Sequence, residues 1–405
     1  MDMRLIFAWQ WLLAAGPLFA APVEVTLNGG PKGREMGVVA FSLPADQNGG
    51  HFLEDSDGRK LPVQATGKRS AVFISPALGA DETRTWRMKA GPAGEASSGN
   101  FRGQIEANAL MFTRQDRPWL TYQMQPGNPP EGIADHFRHG AYLHPVYSPS
   151  GKLVTGDYRP DHPHQRGIFM AWTKTEFEGR APDFWNMGKA KGGRYTGEVR
   201  FGRLHRQWSG PVQAGFVSTH VWLDHTSGEE KKVLTEQWEV TSYALVLGSS
   251  EAHVIDLVST QTCTGEAPLK LPKYHYGGLG LRGNALWDPV DEVTMLTSTG
   301  ADRFKGDGTK AHWVWMGGEV DGAVTGTTIL IHPENFRSPQ PLRLNPKNPQ
   351  LCMAPSADGD WEIQPGKPLI LRYRLVIRDG APDAALFDRL LRDYATPPKV
   401  AVNPL

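Results

Sequence analysis

Residues 369–378 read LILRYRLVIR. Leu369, Leu371, Tyr373, Leu375 and Ile377 fall on one face of an extended chain, and Arg372, Arg374 and Arg378 on the other. Strict period-two alternation marks a strand with one face packed and one face polar, the pattern of antiparallel sheet. Leu234, Glu236, Trp238 and Val240 alternate in the same way with Val233, Thr235, Gln237 and Glu239. His253, Ile255 and Leu257 alternate with Val254, Asp256 and Val258. No βαβ rhythm interrupts these runs, and no GxGxxG or P-loop occurs, so no nucleotide cofactor is expected. Only Pro382–Tyr394 has helical spacing, through Ala385, Leu386, Arg389, Leu390 and Asp393. Pro397 and Pro398 stop it. The expected architecture is all-β: a large antiparallel two-sheet sandwich over residues 101–396, closed by a short C-terminal helix, with residues 397–405 as a tail.

Upstream, residues 21–100 read as a small β-sandwich unit. VEVTLNG, GVVAFSLP, KLPVQATG and SAVFISPAL are short alternating runs between Gly, Asp and Pro turns, ADETRTWRM (80–88) adds a strand, and GPAGEASSGN (91–100) reads as a linker. Residues 1–20 read as an export signal. Arg4 precedes the apolar run Leu5–Ala15, and Leu18 and Ala20 occupy the cleavage positions before Ala21. No later stretch is apolar enough to cross a bilayer. An exported protein, periplasmic or extracellular and free of the membrane after signal removal, is expected.

The 405 residues carry 43 basic and 43 acidic side chains. That balance gives no field for nucleic acid, and a neutral or locally charged ligand fits better. The 45 Gly, 32 Pro and 13 Trp suit strands, turns and aromatic surfaces rather than long helices. Cys263 and Cys352 form no CxxC or zinc pattern and are expected as buried thiols, although an oxidising compartment would permit them to pair.

Candidate chemistry concentrates in Asp157–Asn186, DYRPDHPHQRGIFMAWTKTEFEGRAPDFWN. Pro160 and Pro163 exclude a helix through the histidines, so a rigid loop feeds a buried strand. His162, His164 and Arg166 recur at even spacing and share one side of an extended chain. Imidazole takes or gives a proton near neutral pH, and Arg holds a carboxylate or a developing oxyanion. In KYHYGGLGLRG (273–283), Tyr274 and Tyr276 alternate with Lys273 and His275, and the glycines permit close backbone approach. Among Trp172, Trp185, Trp287, Trp313 and Trp315, Trp185 lies between Asp183 and Asn186 and is the candidate to stack on a sugar. Glu176, Glu178 and Asp183 are the nearest carboxylates, and a pair of them would suit a glycoside hydrolase. No GxSxG elbow is present. His144 adds another imidazole; with His162 and His164 it would allow a divalent-metal site.

LHPVYSPSGK, DHPHQRGIFMAWTKTEFEG, DFWN, KYHYGGLGLRG, NFRSPQPLRLNP and LRYRLVIRDG together resemble a bacterial family of unknown function commonly labelled "methane oxygenase PmoA". The resemblance runs over residues ~105–395, and DHPHxRG is its most specific part. The family commonly has a second histidine directly before the Arg, where this chain has Gln165. The genuine methane oxygenase subunit is a multi-span membrane protein, unlike these alternating polar strands, so neither copper nor methane is carried over. The resemblance implies an exported protein of glycan-degrading bacteria. The long strands also look like the galactose-mutarotase-type supersandwich of sugar epimerases, some lyases and some hydrolases.

The expectation is therefore an exported carbohydrate-active enzyme, a lyase, hydrolase or epimerase, acting on a carbohydrate without cofactor or assigned metal. His164 would transfer the proton, with His275 as partner and His162 beside them. Arg166 would hold a carboxylate or oxyanion. Trp185, Asn186, Lys273, Tyr276 and Glu176 would contact the sugar. The alternatives are a non-catalytic glycan-binding protein and a metal-dependent enzyme using His144, His162 and His164. N-terminal sequencing of the exported protein should find a start at Ala21; a start at Met1 would contradict the signal reading.

Overall fold

The computed structural model describes residues 23–43, 50–92, 100–188 and 196–405; the export-signal residues and most of the expected linker lie outside them. The described chain is an all-β assembly of antiparallel sheets with one α-helix, Ala384–Ala395.

Two large sheets form the main body. The first runs 310–311, 340–344, 350–353, 278–282, 168–171, 142–146, 117–123, 109–114 and 101–106 in spatial order. The second, of longer strands, runs 197–208, 213–224, 231–247, 250–263, 369–379, 323–331, 313–320 and 294–297. Its centre is the 17-residue strand Lys231–Leu247 paired along its length with Ser250–Cys263. Gly248 and Ser249 turn the chain, and Gly248 takes φ +66° at the tight hairpin. In Leu369–Asp379, Leu371, Tyr373, Leu375 and Ile377 are buried while Arg372, Arg374 and Arg378 stay partly exposed, as the alternation requires.

Between the sheets lies one continuous apolar core that includes Phe112, Tyr122, Phe169, Phe216, Trp238, Leu257 and Leu375. A polar cluster is set inside it. Glu236, wholly buried, lies on the packed face of its strand between Leu234 and Trp238. Its Oε1 accepts from Trp238 Nε1 at 2.8 Å, Ser259 Oγ at 2.5 Å and Gln261 Nε2 at 3.2 Å. Its Oε2 accepts from Trp222 Nε1 at 3.1 Å and lies 3.3 Å from His220 Nδ1. Tyr122 hydroxyl, from the opposite sheet, reaches His220 Nε2 at 2.7 Å. Burial raises the pKa of the Glu236 carboxyl. The contacts from His220, Ser259 and Trp238 outweigh it and hold the value below the ordinary one.

The N-terminal unit is a sheet of strands 37–42, 70–75, 60–67, 51–54, 83–90 and 23–28, with its own core around Phe41, Phe73 and Trp86. The expected tail is instead its last strand: Val400–Pro404 pairs with Val23–Leu27, and Val400 and Val402 pack on the same core. The helix begins at the Asp383 cap, whose side chain accepts from Leu386 N, and lays Leu386, Phe387 and Leu390 against Trp313 and its neighbours. Cys263 and Cys352 are free thiols, and burial pushes Cys352 up to about 12.

Removing a carboxylate that five buried groups face leaves unpaired donors in the core. Glu236→Ala should destabilise the fold by about 3–5 kcal/mol and lower the urea midpoint accordingly. An unchanged midpoint would contradict the role assigned to this carboxylate.

Candidate functional site

Three connections meet at one end of the first sheet: the histidine loop before strand 168–171, the segment before strand 278–282, and the turn between strands 340–344 and 350–353. They enclose a cavity of about 230 Å³ lined by His162, His164, Gln165, Trp185, Asn186, His275, Tyr276, Arg343, Asn345 and Gln350.

The histidine loop is held from behind. Its prolines leave short turns, His162 N to Arg159 O and Gln165 N to His162 O. Gly167 ends it at φ +43°, where a Cβ would fall 2.0 Å from Leu143 O, so no other residue fits. Arg282, wholly buried, donates to Gln165 Oε1 at 3.1 Å and to Asp288 Oδ1 at 2.6 Å, and lies 3.6 Å from Asp161. Arg159 donates to the other Asp288 oxygen at 2.6 Å.

His162 Nδ1 lies 2.8 Å from Asp161 Oδ2. Nδ1 is thus engaged, and Nε2 is the ring nitrogen left for a ligand. Asn348 Nδ2 lies 3.1 Å from His162 Nδ1 and 3.4 Å from the same carboxylate. The His164 ring stands 5.6 Å from that of His162. Burial first, then the neighbouring His162, Arg166 and Arg282, hold His164 down to about 4, so it is neutral at ordinary pH.

Across the cavity, residues 273–277 bend instead of continuing as a strand, so the expected alternation of Tyr and His is lost. Gly277 and Gly278 take φ +123° and +119°, and Lys273 N and Tyr274 N are tied to Asp360 and Ser356. His275 and Tyr276 consequently both line the cavity, their rings 4.9 Å apart. Burial, with Arg343 next, lowers His275. Tyr276 hydroxyl lies 2.9 Å from Asn186 Nδ2 and 3.0 Å from its Oδ1, and burial pushes the phenol up to about 12. Arg343 pairs through Nη1 with Asp307.

Arg166 does not line this cavity. Its side chain has no exposed surface; Nη1 donates to His139 O and Tyr158 hydroxyl, Nη2 donates to Phe137 O, and the guanidinium lies over the Tyr158 and Tyr142 rings. It pins segment 137–142 beneath the histidine loop. Trp185 is a wall, 2% exposed, its faces covered by Phe169 and Tyr276, so it offers no free stacking platform. Lys273 is exposed and outside the lining. Glu176 pairs with Lys270 on a separate hairpin, Glu178 pairs with Arg180 and Lys231, and Asp183 caps the turn at Trp185 and Asn186. His144 bonds to Thr155 Oγ1 rather than joining His162 and His164, and among the described residues no three His, Cys, Asp or Glu side chains stand as a metal-ligand set.

A family model matches residues 109–392, close to the span of the resemblance noted above, and its description is a family of unknown function, DUF6807. This chain belongs to DUF6807. The DUF6807 region contains every residue of the cavity lining. No curated protein matches the chain. Among solved structures it is similar to a protein in the glycosyl hydrolase family 38 from Enterococcus faecalis, at 10% identity and TM-score 0.38, over 95% of this chain and 47% of that one. It is also similar to an alpha-mannosidase from Enterococcus faecalis V583, at 10% identity and TM-score 0.35, over 94% and 46%. The chain thus spans about half the length of these structures.

Asp161, Arg343, Asn345, Asn348 and Gln350 stand in or directly behind the cavity wall, and composition alone does not single them out. Asp161 stands directly before His162 in DHPH, and Arg343 and Asn345 lie within NFRSPQPLRLNP. A larger cavity, about 360 Å³, lies between the N-terminal sheet and the helix. Its charges largely satisfy one another, Arg374 with Asp256 and Arg34 with Asp393, and it reads as a seam between units.

With His164 near 4 against an ordinary 6.5, the unfolded chain takes a proton first as pH falls. The neutral ring's contribution to stability is therefore full above about 6.5 and is lost on acidification towards 4. An NMR titration should find the His164 ring midpoint near 4; a midpoint near 6.5 would contradict its burial and its charged surroundings.

Proposed function

We propose that this chain is an exported carbohydrate-active enzyme that works by imidazole acid–base chemistry, with His162 as the proton-transfer group. One observation carries the reading: a single cavity gathers His162, His164 and His275 with Tyr276, Arg343 and four side-chain amides. Amides and imidazoles both donate and accept, which suits a ligand dense in hydroxyl groups. At about 230 Å³ the cavity is smaller than the roughly 300–1,000 Å³ usual for drug-sized ligands. It suits one ring or the end of a chain.

His162 replaces His164 in the leading role for an electrostatic reason. Asp161 places a carboxylate against His162 Nδ1, whereas burial and then the neighbouring cations disfavour protonation of His164. His164 then serves as a neutral hydrogen-bonding group. Arg166 acts only through the loop it anchors. The resemblance to supersandwich sugar enzymes points the same way, and export rests on the N-terminal signal reading.

A thermal-shift screen of oligosaccharides should identify a ligand, since one at a hundred times its Kd stabilises by about 2.7 kcal/mol. On the sugar so found, His162→Ala should lower kcat by about 10²–10⁴-fold without lowering the melting temperature. Full turnover by His162→Ala would overturn the assignment. Binding with no product under any condition would favour the non-catalytic alternative.

A further inference from the structure

We infer that the substrate is an acidic sugar, a uronate within an oligosaccharide, and that the reaction is a β-elimination rather than a hydrolysis. This deepens the carbohydrate reading and rests on it. The argument begins with what the cavity offers and what it lacks.

Among the described residues lining it there is no Asp or Glu. Hydrolysis by a carboxylate pair needs two such groups flanking the scissile bond. Three acids stand behind the lining, each already engaged; Asp183 accepts from Asn186 Nδ2 at 2.7 Å and caps the turn there. Asp161 faces His162 Nδ1, and Asp307 takes Arg343 Nη1 and Leu344 N. All three therefore orient a lining side chain instead of attacking or protonating a sugar.

The wall around Arg343 is rich in donors. Its Nε and Nη2 bond to no described residue, which leaves part of a planar fork matched to a carboxylate. Gln350 is 2% exposed, its Nε2 fully buried beside the Cys352 thiol. Asn345 lines the same wall. A ligand that carries its own carboxylate supplies two acceptors matched to the open Nε and Nη2 of Arg343.

A carboxylate held by Arg343 changes the chemistry of the carbon next to it. Neutralising the carboxylate stabilises the carbanion-like charge that develops when the adjacent C–H proton leaves. His162 Nε2 takes that proton. The C–H electron pair becomes a carbon–carbon double bond to the neighbouring ring carbon, whose bond to the glycosidic oxygen breaks. That oxygen leaves with the bonding pair and takes a proton from Tyr276, whose raised pKa keeps the phenol protonated until that moment. The proton on His162 returns to Tyr276 through solvent. No water is consumed and no oxidant is required. The products are a saturated chain end and an unsaturated uronate.

The test uses the full chain with oligosaccharides of uronic acids, the same oligosaccharides with their carboxyls reduced to alcohols, and neutral glycans. The expected result is an ultraviolet-absorbing product from at least one uronate series, one water lighter by mass than the hydrolysis product. The carboxyl-reduced form should give no product. Arg343→Lys, which keeps the charge but not the fork, should lower kcat/KM by about 10-fold or more, and Arg343→Gln further, with circular dichroism unchanged. A product containing added water, or turnover confined to neutral glycans, overturns this inference and leaves the carbohydrate reading standing. No binding or turnover of any sugar overturns both.

Discussion

A carboxylate buried between two sheets is the constraint on which the rest of this molecule depends. Glu236 sits in an apolar core, where an unpaired charge would be prohibitive, and it is tolerated because five side chains face it. Those contacts lead to the site. Gln261, which donates to Glu236, accepts from Trp172 Nε1 at 2.7 Å, and Trp172 directly follows the strand that leaves the histidine loop. Trp172 O receives Phe184 N, and Asn186 Nδ2 reaches Thr173 Oγ1 at 3.1 Å. The long-strand sheet therefore fixes the register of the first sheet at the strand from which the cavity is built.

Two buried arginines continue the work at the surface end. Arg166 holds segment 137–142 under the loop, and Arg282 holds Gln165, Asp288 and Asp161. Neither is available to a ligand. Each spends its Nη donors on carbonyl, hydroxyl, amide or carboxylate oxygens of neighbouring segments, so the loop bearing His162 and His164 is held without help from a helix or a sheet. Rigid support of this kind lets small shifts in charge decide which histidine works. His162 has a carboxylate behind it; His164 has cations around it.

Much of the fold was legible in the sequence because alternation is a local signal. The strands around Leu371–Ile377 and Leu234–Val240 and the helix after Pro382 could be read from periodicity alone. The strand Val400–Pro404 could not, because its meaning comes from pairing with Val23–Leu27 at the far end of the chain. The site was partly legible for the same reason. His162, His164, His275, Tyr276, Trp185 and Asn186 share one cavity, and all lie in stretches chosen for their composition. Arg166 misled because spacing shows which side a residue faces but not what already fills that side. Arg343 and Gln350 were missed because they arrive from strands distant in sequence, and only the sheet order brings them beside His275.

The most direct measurement is a crystal structure of the protein with an acidic oligosaccharide bound. The account predicts a sugar ring within hydrogen-bonding distance of His162 and Tyr276, its carboxylate on Arg343. A sugar seated instead in the seam beside Arg34 and Arg374, or a ring with no carboxylate contact to Arg343, would contradict it.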